Sequence, residues 1–364
     1  MIKISTIPSL VLSASIGEVV IQSDKDYVDL QFGTASNFEL LVGRFYTYKG
    51  MVTVDNLRDV VELAIREAGN AMMEFALVAT NGEEEATVQF HALHFDRHIA
   101  LAEPEDLQQM LKSHFLTVAS ARRIAPKSTV LLSWVVQPME DMAYSAHCDY
   151  IADGVNGHCT LTLGYENVTS SALVVVTVAV DSTQLEAMVA SMVGKKVQLT
   201  AFTVTCGDRA ATFFIASQMP QKSCFYFRNA FSVPDLVAIP AETVAKTTVE
   251  RSVAVLNERS QFYDSTCQQS FEVQSAALTH GECALAQQLF TADDARVLYG
   301  CLEDEADLDA MQKILITDST CEVSDFPEKP NAVKFTWRFD VRRIALPNPE
   351  QGGIFTEPYN YVFT

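Results

Sequence analysis

Two histidine–cysteine pairs, His147-Cys148 and His158-Cys159, offer two imidazoles and two thiols around Asp153-Gly154-Val155-Asn156-Gly157. Nitrogen and sulfur suit zinc, but zinc sites draw on ligand pairs two to four residues apart, because adjacent side chains rarely converge on one tetrahedron. A glycine-containing loop between two strands accounts for the same residues more simply. His91, His94 and His98 would line one face of a helix. Their neighbours Thr87-Val88-Gln89-Phe90 and Phe95 read as strand instead, which sends His91 and His94 to opposite faces. Asp304, Glu305, Asp307 and Asp309 offer oxygens to calcium, without the glycine and terminal glutamate of an EF-hand loop. The run Glu303 to Asp309 reads as an exposed loop, and Asp24-Lys25-Asp26 as a turn.

Nucleophile and phosphate motifs are missing from the sequence. There is no G-x-S-x-G, no dinucleotide fingerprint follows a strand, and Gly194-Lys195-Lys196 lacks the upstream glycine of a phosphate loop. Paired carboxylates for glycoside hydrolysis come from distant strands and leave no local signal, so nothing singles out two of the 46 acidic residues. Asn167-Val168-Thr169 matches a glycosylation acceptor. The aromatic run Phe225-Tyr226-Phe227-Arg228-Asn229-Ala230-Phe231 can stack on sugars or bases. It fits equally a strand with Phe225 and Phe227 inward, entering a turn at Val233-Pro234, and core is the better account. No catalytic residue, cofactor-binding residue or metal ligand is assigned, no cofactor is expected, and the chain reads as a non-enzyme.

The elements carrying these residues are mostly strands. In Val333-Lys334-Phe335-Thr336-Trp337-Arg338-Phe339-Asp340-Val341-Arg342 apolar and polar residues alternate without a break, which gives a strand with one buried and one open face. Asp26 to Phe32 and Phe38 to Tyr46 are extended. Asp55 is placed as N-cap of a helix with Leu57, Val60, Val61, Ala64, Ile65 and Ala68 on one face, stopped by Gly69-Asn70. Met72 to Thr80 and Ala86 to Phe95 make a hairpin through Asn81-Gly82, a pair that favours a tight primed turn, with Glu83-Glu84-Glu85 as a solvated end. Pro104 opens a short helix with Leu107, Met110 and Leu111, and residues 112 to 130, with Arg122-Arg123, read as a passage between domains. Strands follow at Thr129 to Val136, Thr160 to Tyr165, Ala172 to Val180, Val197 to Cys206 and Ala211 to Ala216. The third of these is apolar on both faces, as inside a sandwich or under a helix. Thr183-Gln184-Leu185-Glu186 and Thr279-His280-Gly281-Glu282 are capping-box patterns, each opening a helix. Thr243 to Leu256 and Phe262 to Gln274 are long enough for an extended antiparallel pair, and Ile314 to Thr317 completes the set.

At 364 residues the chain exceeds one ordinary core. The pattern divides into residues 1–120, β-rich with one amphipathic helix, 121–222, sandwich-like, and 223–364, long antiparallel strands with a helix. The expected fold class is mainly β, a β-rich α+β arrangement of antiparallel sheets or sandwiches with a few short helices. A formal charge of −20 argues against nucleic acid or an anionic membrane surface as partner, and no apolar run approaches the length of a membrane span. The eight cysteines form no C-x-x-C and read as free thiols of a reducing compartment, with Cys206 and Cys283 in ordinary buried places. Met1 to Ser15 imitates a signal peptide, but Ser, Thr and Pro interrupt its apolar part.

Several phrases in order carry a resemblance. They are Ser9-Leu10 with Val19-Val20-Ile21, then Phe45-Tyr46 with Gly50-Met51-Val52-Thr53-Val54, the run Phe225 to Pro234, Ile316-Thr317-Asp318 and Phe335-Thr336-Trp337-Arg338. In these the chain resembles a group of β-rich proteins of gut bacteria associated with prophage or phage-tail-like regions. The resemblance implies a virion or assembly role and carries over no catalytic residue. The expectation is a structural or interaction protein of tail or baseplate type, cytoplasmic or virion-associated, with protein partners or self-assembly. The alternative is an exported cell-surface module binding glycan or protein, and then a polysaccharide-acting enzyme. Long strands with charged outer faces and open edges suit β-addition or docking of sheet faces.

Overall fold

The computed structural model describes residues 1–34, 37–96, 107–136, 141–167, 173–217, 219, 224–256, 259–297, 311–324 and 329–340. Pro104, His98, Cys301, the acidic run from Glu303 to Asp309, Val168-Thr169 and Val341-Arg342 lie outside them. The fold is mainly β, a β-rich α+β arrangement of antiparallel and mixed sheets.

The first core lies between two sheets and a helix. Strands β1 (Ile2–Ile4), β3 (Val19–Ser23) and β6 (Met51–Val54) make one sheet. Strands β2 (Leu10–Leu12), β8 (Glu85–Leu93), β7 (Met72–Thr80), β4 (Tyr27–Gly33) and β5 (Leu41–Tyr46) make the other, in that spatial order. Helix α1 (Leu57–Ala68) buries Leu57, Val61, Ala64 and Ile65 against them, and Phe32, Phe75 and Phe90 stack at the centre. Asn56, not Asp55, occupies the N-cap, while Gly69 ends the helix in the left-handed conformation only glycine adopts freely. The β7–β8 hairpin forms, but its turn is longer than a two-residue primed turn. Thr80 pairs with Glu85, and the Asn81 carboxamide oxygen accepts the amides of Glu83 and Glu84. The asparagine thus rebuilds the turn from its own side chain.

The central core is a sandwich. Helix α2 (Leu107–Ser113) precedes β9 (Ala121–Ile124) and β10 (Thr129–Val136). A hairpin of β11 (Asp141–Ala152) and β12 (Val155–Asn167) leads to β13 (Val174–Asp181), α3 (Ser182–Val193), β14 (Val197–Cys206) and β15 (Arg209–Ile215). The β10–β13 pair faces the sheet β12-β11-β14-β15-β9 across Trp134, Phe202 and Phe213. Val176, Val178 and Val180 of β13 pack into this core, while Leu173 and Val175 on its other side pack against a second apolar cluster. Both faces are thus covered at the start of the run, and Thr177 and Ala179 alone are exposed further along. Asp181, not Thr183, caps α3, because the Glu186 carboxylate instead accepts the Leu199 amide. Arg209 is buried and donates to the carbonyls of Leu111 and Val135, tying the end of α2 to β10.

The third core lies on a seven-stranded sheet ordered β17 (Pro234–Ala238), β16 (Cys224–Arg228), β20 (Ala295–Val297), β21 (Gln312–Glu322), β22 (Ala332–Phe339), β19 (Arg259–Ser275) and β18 (Ala241–Leu256). As the alternation predicts, Val333, Phe335, Trp337 and Phe339 all point inward. Trp337 stacks on Phe271 with ring centroids 4.0 Å apart. Phe225 and Phe227 are core, and the turn after them falls at Asn229–Ser232. Helix α4 (His280–Thr291) opens with the complete capping box of Thr279 and Glu282 and buries Cys283, Leu285, Ala286 and Leu289.

Residues 121–124 are not a passage but strand β9, parallel to β15, and this strand ties the central sheet to the third core. Adjacent residues on a strand face opposite ways. Arg122 meets Asp235 of β17 at 2.8 Å, both side chains 2% exposed, with its guanidinium 5.3 Å from the Phe213 ring centre. Asp235 also accepts from Thr117, Asn229 and the Leu236 amide. Arg123 holds the Glu282 carboxylate through both a side-chain fork at 2.8 and 2.6 Å and its own amide at 3.0 Å.

Burial alone would push the Glu282 carboxyl up, but the Arg123 fork and the Thr279 and Arg123 amides outweigh it and hold the pKa below its ordinary 4.5. Because the folded-state pKa lies below the unfolded one, the contribution is complete above the unfolded value and is lost as pH falls through the folded value. Chemical denaturation of Glu282→Gln across pH should therefore give a weaker protein at neutral pH with a flatter acid limb; parallel acid limbs would refute the assignment. Asp235→Ala leaves Arg122 buried without a countercharge and should lower unfolding stability by about 3–5 kcal/mol. Arg122→Met with Asp235→Leu should recover most of that loss, and a urea titration in which the single change is neutral would rule out the pairing.

Candidate interaction surface

Strands β18 and β19 are far longer than their neighbours, at 16 and 17 residues. They pair with each other throughout, from Ala241–Ser275 to Leu256–Arg259. On its other side β19 meets β22 only at Phe271 to Gln274. Among the described residues, the rest of the pair stands clear of any third strand, an arm of about 35 Å at ordinary strand rise.

The face of this arm follows from pleat and register. Directly opposed residues point the same way. At the root, Thr243 opposes Val273 and Ala245 opposes Phe271, and both of those β19 side chains are buried in the third core. The same face runs outward through Thr247, opposite Gln269, Val249, opposite Cys267, then Arg251, Val253, opposite Phe262, and Val255. Val249, Val253, Val255 and Phe262 are 49, 53, 71 and 65% exposed. Arg251 lies over the Phe262 ring at 5.2 Å. The other face carries Lys246, ion-paired to Glu272, with Thr248 and Glu250 in solvent. The arm is therefore amphipathic, its apolar side continues the core-facing side of the sheet, and nothing described covers it. Exposed apolar residues gathered on one face, here Val249, Val253, Val255 and Phe262 with Thr247 and Arg251 between them, mark a contact site, whereas singly scattered residues do not. Among the described residues β18 ends the sheet, so no strand pairs with its outer edge.

The residues equipped for chemistry are dispersed. Cys148 and Cys159 oppose each other in the β11–β12 ladder, while His147 opposes Thr160 and His158 opposes Asp149. The pleat thus puts the two thiols on one face and the two imidazoles on the other, which splits the zinc set in half. His147 spends Nδ1 on the Thr160 hydroxyl at 2.8 Å. His91 lies on β8 and His94 just beyond it, with Nδ1 donating to the Ala230 carbonyl at 3.2 Å. Burial pushes the His94 imidazole down, favouring its neutral form. Among the described residues no group of three or more His, Cys, Asp or Glu converges as a metal site. No helix among them is long and apolar enough to cross a membrane.

A cavity of about 480 Å³ opens where α1 meets the third core, lined by Glu62, Arg66, His94, Arg228 and Asp293. Arg228 is committed to backbone carbonyls, donating to Gly69 at the end of α1 and to Ser232. Favourable charge at a helix C-terminus and these two bonds make the cavity a joint between elements. The sequence shows the long strand pair but not its projection from the sheet, places Arg122 only in a passage between domains, and gives no signal for Asp235. Comparison of the chain with known protein families and with curated proteins gives no match.

Seven described cysteines are free thiols. Desolvation raises Cys148, Cys224 and Cys283 to about 12. The Cys283 thiol lies beside Cys321 on the packing face of α4, which adds to its rise. A thiol needs its thiolate form to react, so these three should resist alkylation in the native state. Peptide mass mapping after iodoacetamide treatment of folded protein should find label, among the described cysteines, on the half-exposed Cys159, Cys267 and Cys321. Early modification of Cys148, Cys224 or Cys283 would contradict the packing described.

Proposed function

We propose that this chain is a structural interaction protein that takes its place in a larger assembly through the β18–β19 arm. The observation that carries this reading is the arm's apolar stripe of Val249, Val253, Val255 and Phe262, which leaves the third core and continues in solvent. Isolated two-stranded ribbons gain little stability of their own in water. An arm of this length with one apolar face is most useful when a partner covers it, by strand addition at the β18 edge or by packing on the stripe. The resemblance to β-rich proteins of prophage and phage-tail-like regions points the same way, to a tail- or baseplate-type component. The dispersed histidines and cysteines, and a cavity whose Arg228 is held by backbone carbonyls, support a scaffold over a reaction centre.

Val253→Lys with Phe262→Lys places two charges on the stripe, where both side chains are exposed and the fold does not depend on them. In gradient sedimentation of protein from its native source, the unaltered chain should travel with a particle much heavier than itself. The doubly substituted chain should remain folded and stay near the top. Equal sedimentation of both, or a heavy particle that never forms, would overturn the assembly role.

A further inference from the structure

We infer that the partner of the β18 edge is a second copy of this chain, paired antiparallel across a two-fold axis at Thr248. This rests on the assembly reading above and names its first contact. Any strand edge can receive another strand, so the choice of occupant must come from the side chains. Strand β18 carries Glu242, Lys246, Glu250 and Arg251 and is formally neutral, within a chain of net charge −20. Self-repulsion that opposes contact elsewhere on this acidic surface is therefore locally relieved.

Register then decides. In a two-fold antiparallel pair, each residue faces the one equally far beyond the axis. With Thr248 on the axis, Lys246 of each copy faces Glu250 of the other, so the contact forms twice. An axis at Lys246 would set Glu242 against Glu250 and Lys246 against itself, and an axis at Glu250 would set that carboxylate against its own copy. Axes at Thr247 or Val249 leave Lys246 and Glu250 facing uncharged residues, and an axis at Val244 sets Lys246 against Glu242 but pairs only Ala241 to Thr247, leaving the exposed Val249, Val253 and Val255 without a partner strand. Opposite charges directly across a ladder stabilise the pair, and like charges destabilise it.

The apolar face agrees with the same register. Thr247 meets Val249, Thr243 meets Val253, and Ala241 meets Val255, while Arg251 meets only Ala245. The exposed tip of one arm thus lies beside the root of the other, on the face where Phe271 and Val273 enter the third core. Each stripe extends its partner's core, and two seven-stranded sheets join edge to edge.

Charge reversal tests this directly in purified full-length protein by sedimentation equilibrium. The unaltered chain should be a dimer at micromolar concentration. Glu250→Lys sets lysine against lysine and Lys246→Glu sets glutamate against glutamate, so each alone should be monomeric. Mixed in equal amounts, the two variants restore both opposite-charge contacts and should form a heterodimer. Thr248→Cys, on the axis, should cross-link two chains under mild oxidation, whereas Val244→Cys, also exposed on the same strand, should not. An unaltered chain that stays monomeric, or single variants that both remain dimers, would overturn the two-fold pairing. Sedimentation of a heavy native particle that is lost with the stripe substitutions, alongside a monomeric purified chain, would keep the assembly role and remove only the self-pairing.

Discussion

The arrangement of the molecule depends on a four-residue strand. At β9 the pleat sends Arg122 to one side and Arg123 to the other, and each finds a carboxylate in the third core. The two contacts differ in kind. Arg122 and Asp235 are removed from water, so their attraction must offset a large desolvation cost, and the Thr117, Asn229 and Leu236 donors around Asp235 help it do so. Arg123 is about one-third exposed, and its partner Glu282 is fixed beforehand by the capping box of α4. One carboxylate thereby closes a helix and fastens a sheet.

That fastening orients what lies beyond it. The third core is built on Trp337, Phe271, Phe335 and Phe225, a cluster of stacked and edge-on rings at the root of the arm. The arm leaves this cluster as two strands with an unbroken register apart from one shift near Ser252 and Val253. A β-bulge of this kind sharpens the local twist and turns the outer part of a ribbon relative to its base. The face offered to a partner is consequently set by the same aromatic packing that holds the sheet.

Local signals in the sequence were readable and distant ones were not. Val333 to Phe339 announces its strand because a half-buried sheet imposes period two on every side chain. Thr279 and Glu282 announce a helix start because the capping box closes within three residues. The long pair of β18 and β19 was legible for the first reason, but Val249, Val253 and Val255 give the same alternation whether or not anything covers them. Exposure depends on where β22 parts from β19, at the Phe271–Trp337 pair, and no residue of the arm records that. Ala121-Arg122-Arg123-Ile124 fails as a strand signal for a different reason. Two adjacent charges look like solvent-facing chain, and the carboxylates that make them buried lie far along the sequence. The cap falls on Asn56 rather than Asp55 because adjacent Asp and Asn suit the same position, and the turn at Asn81-Gly82 extends to Glu84 because the Asn81 side chain accepts the amides that follow it.

The distance between Arg123 and Glu282 has a further consequence, for synthesis. They are 159 residues apart, so β9 leaves the ribosome well before its anchor is made. At ordinary translation speeds the delay is roughly ten to thirty seconds, far longer than a hairpin needs to form. The β7–β8 and β11–β12 hairpins can close in that interval, while Arg122 stays hydrated until Asp235 is made and Arg123 until the last third of the chain arrives. The nascent protein is thus expected to be assembled in parts first and locked together last.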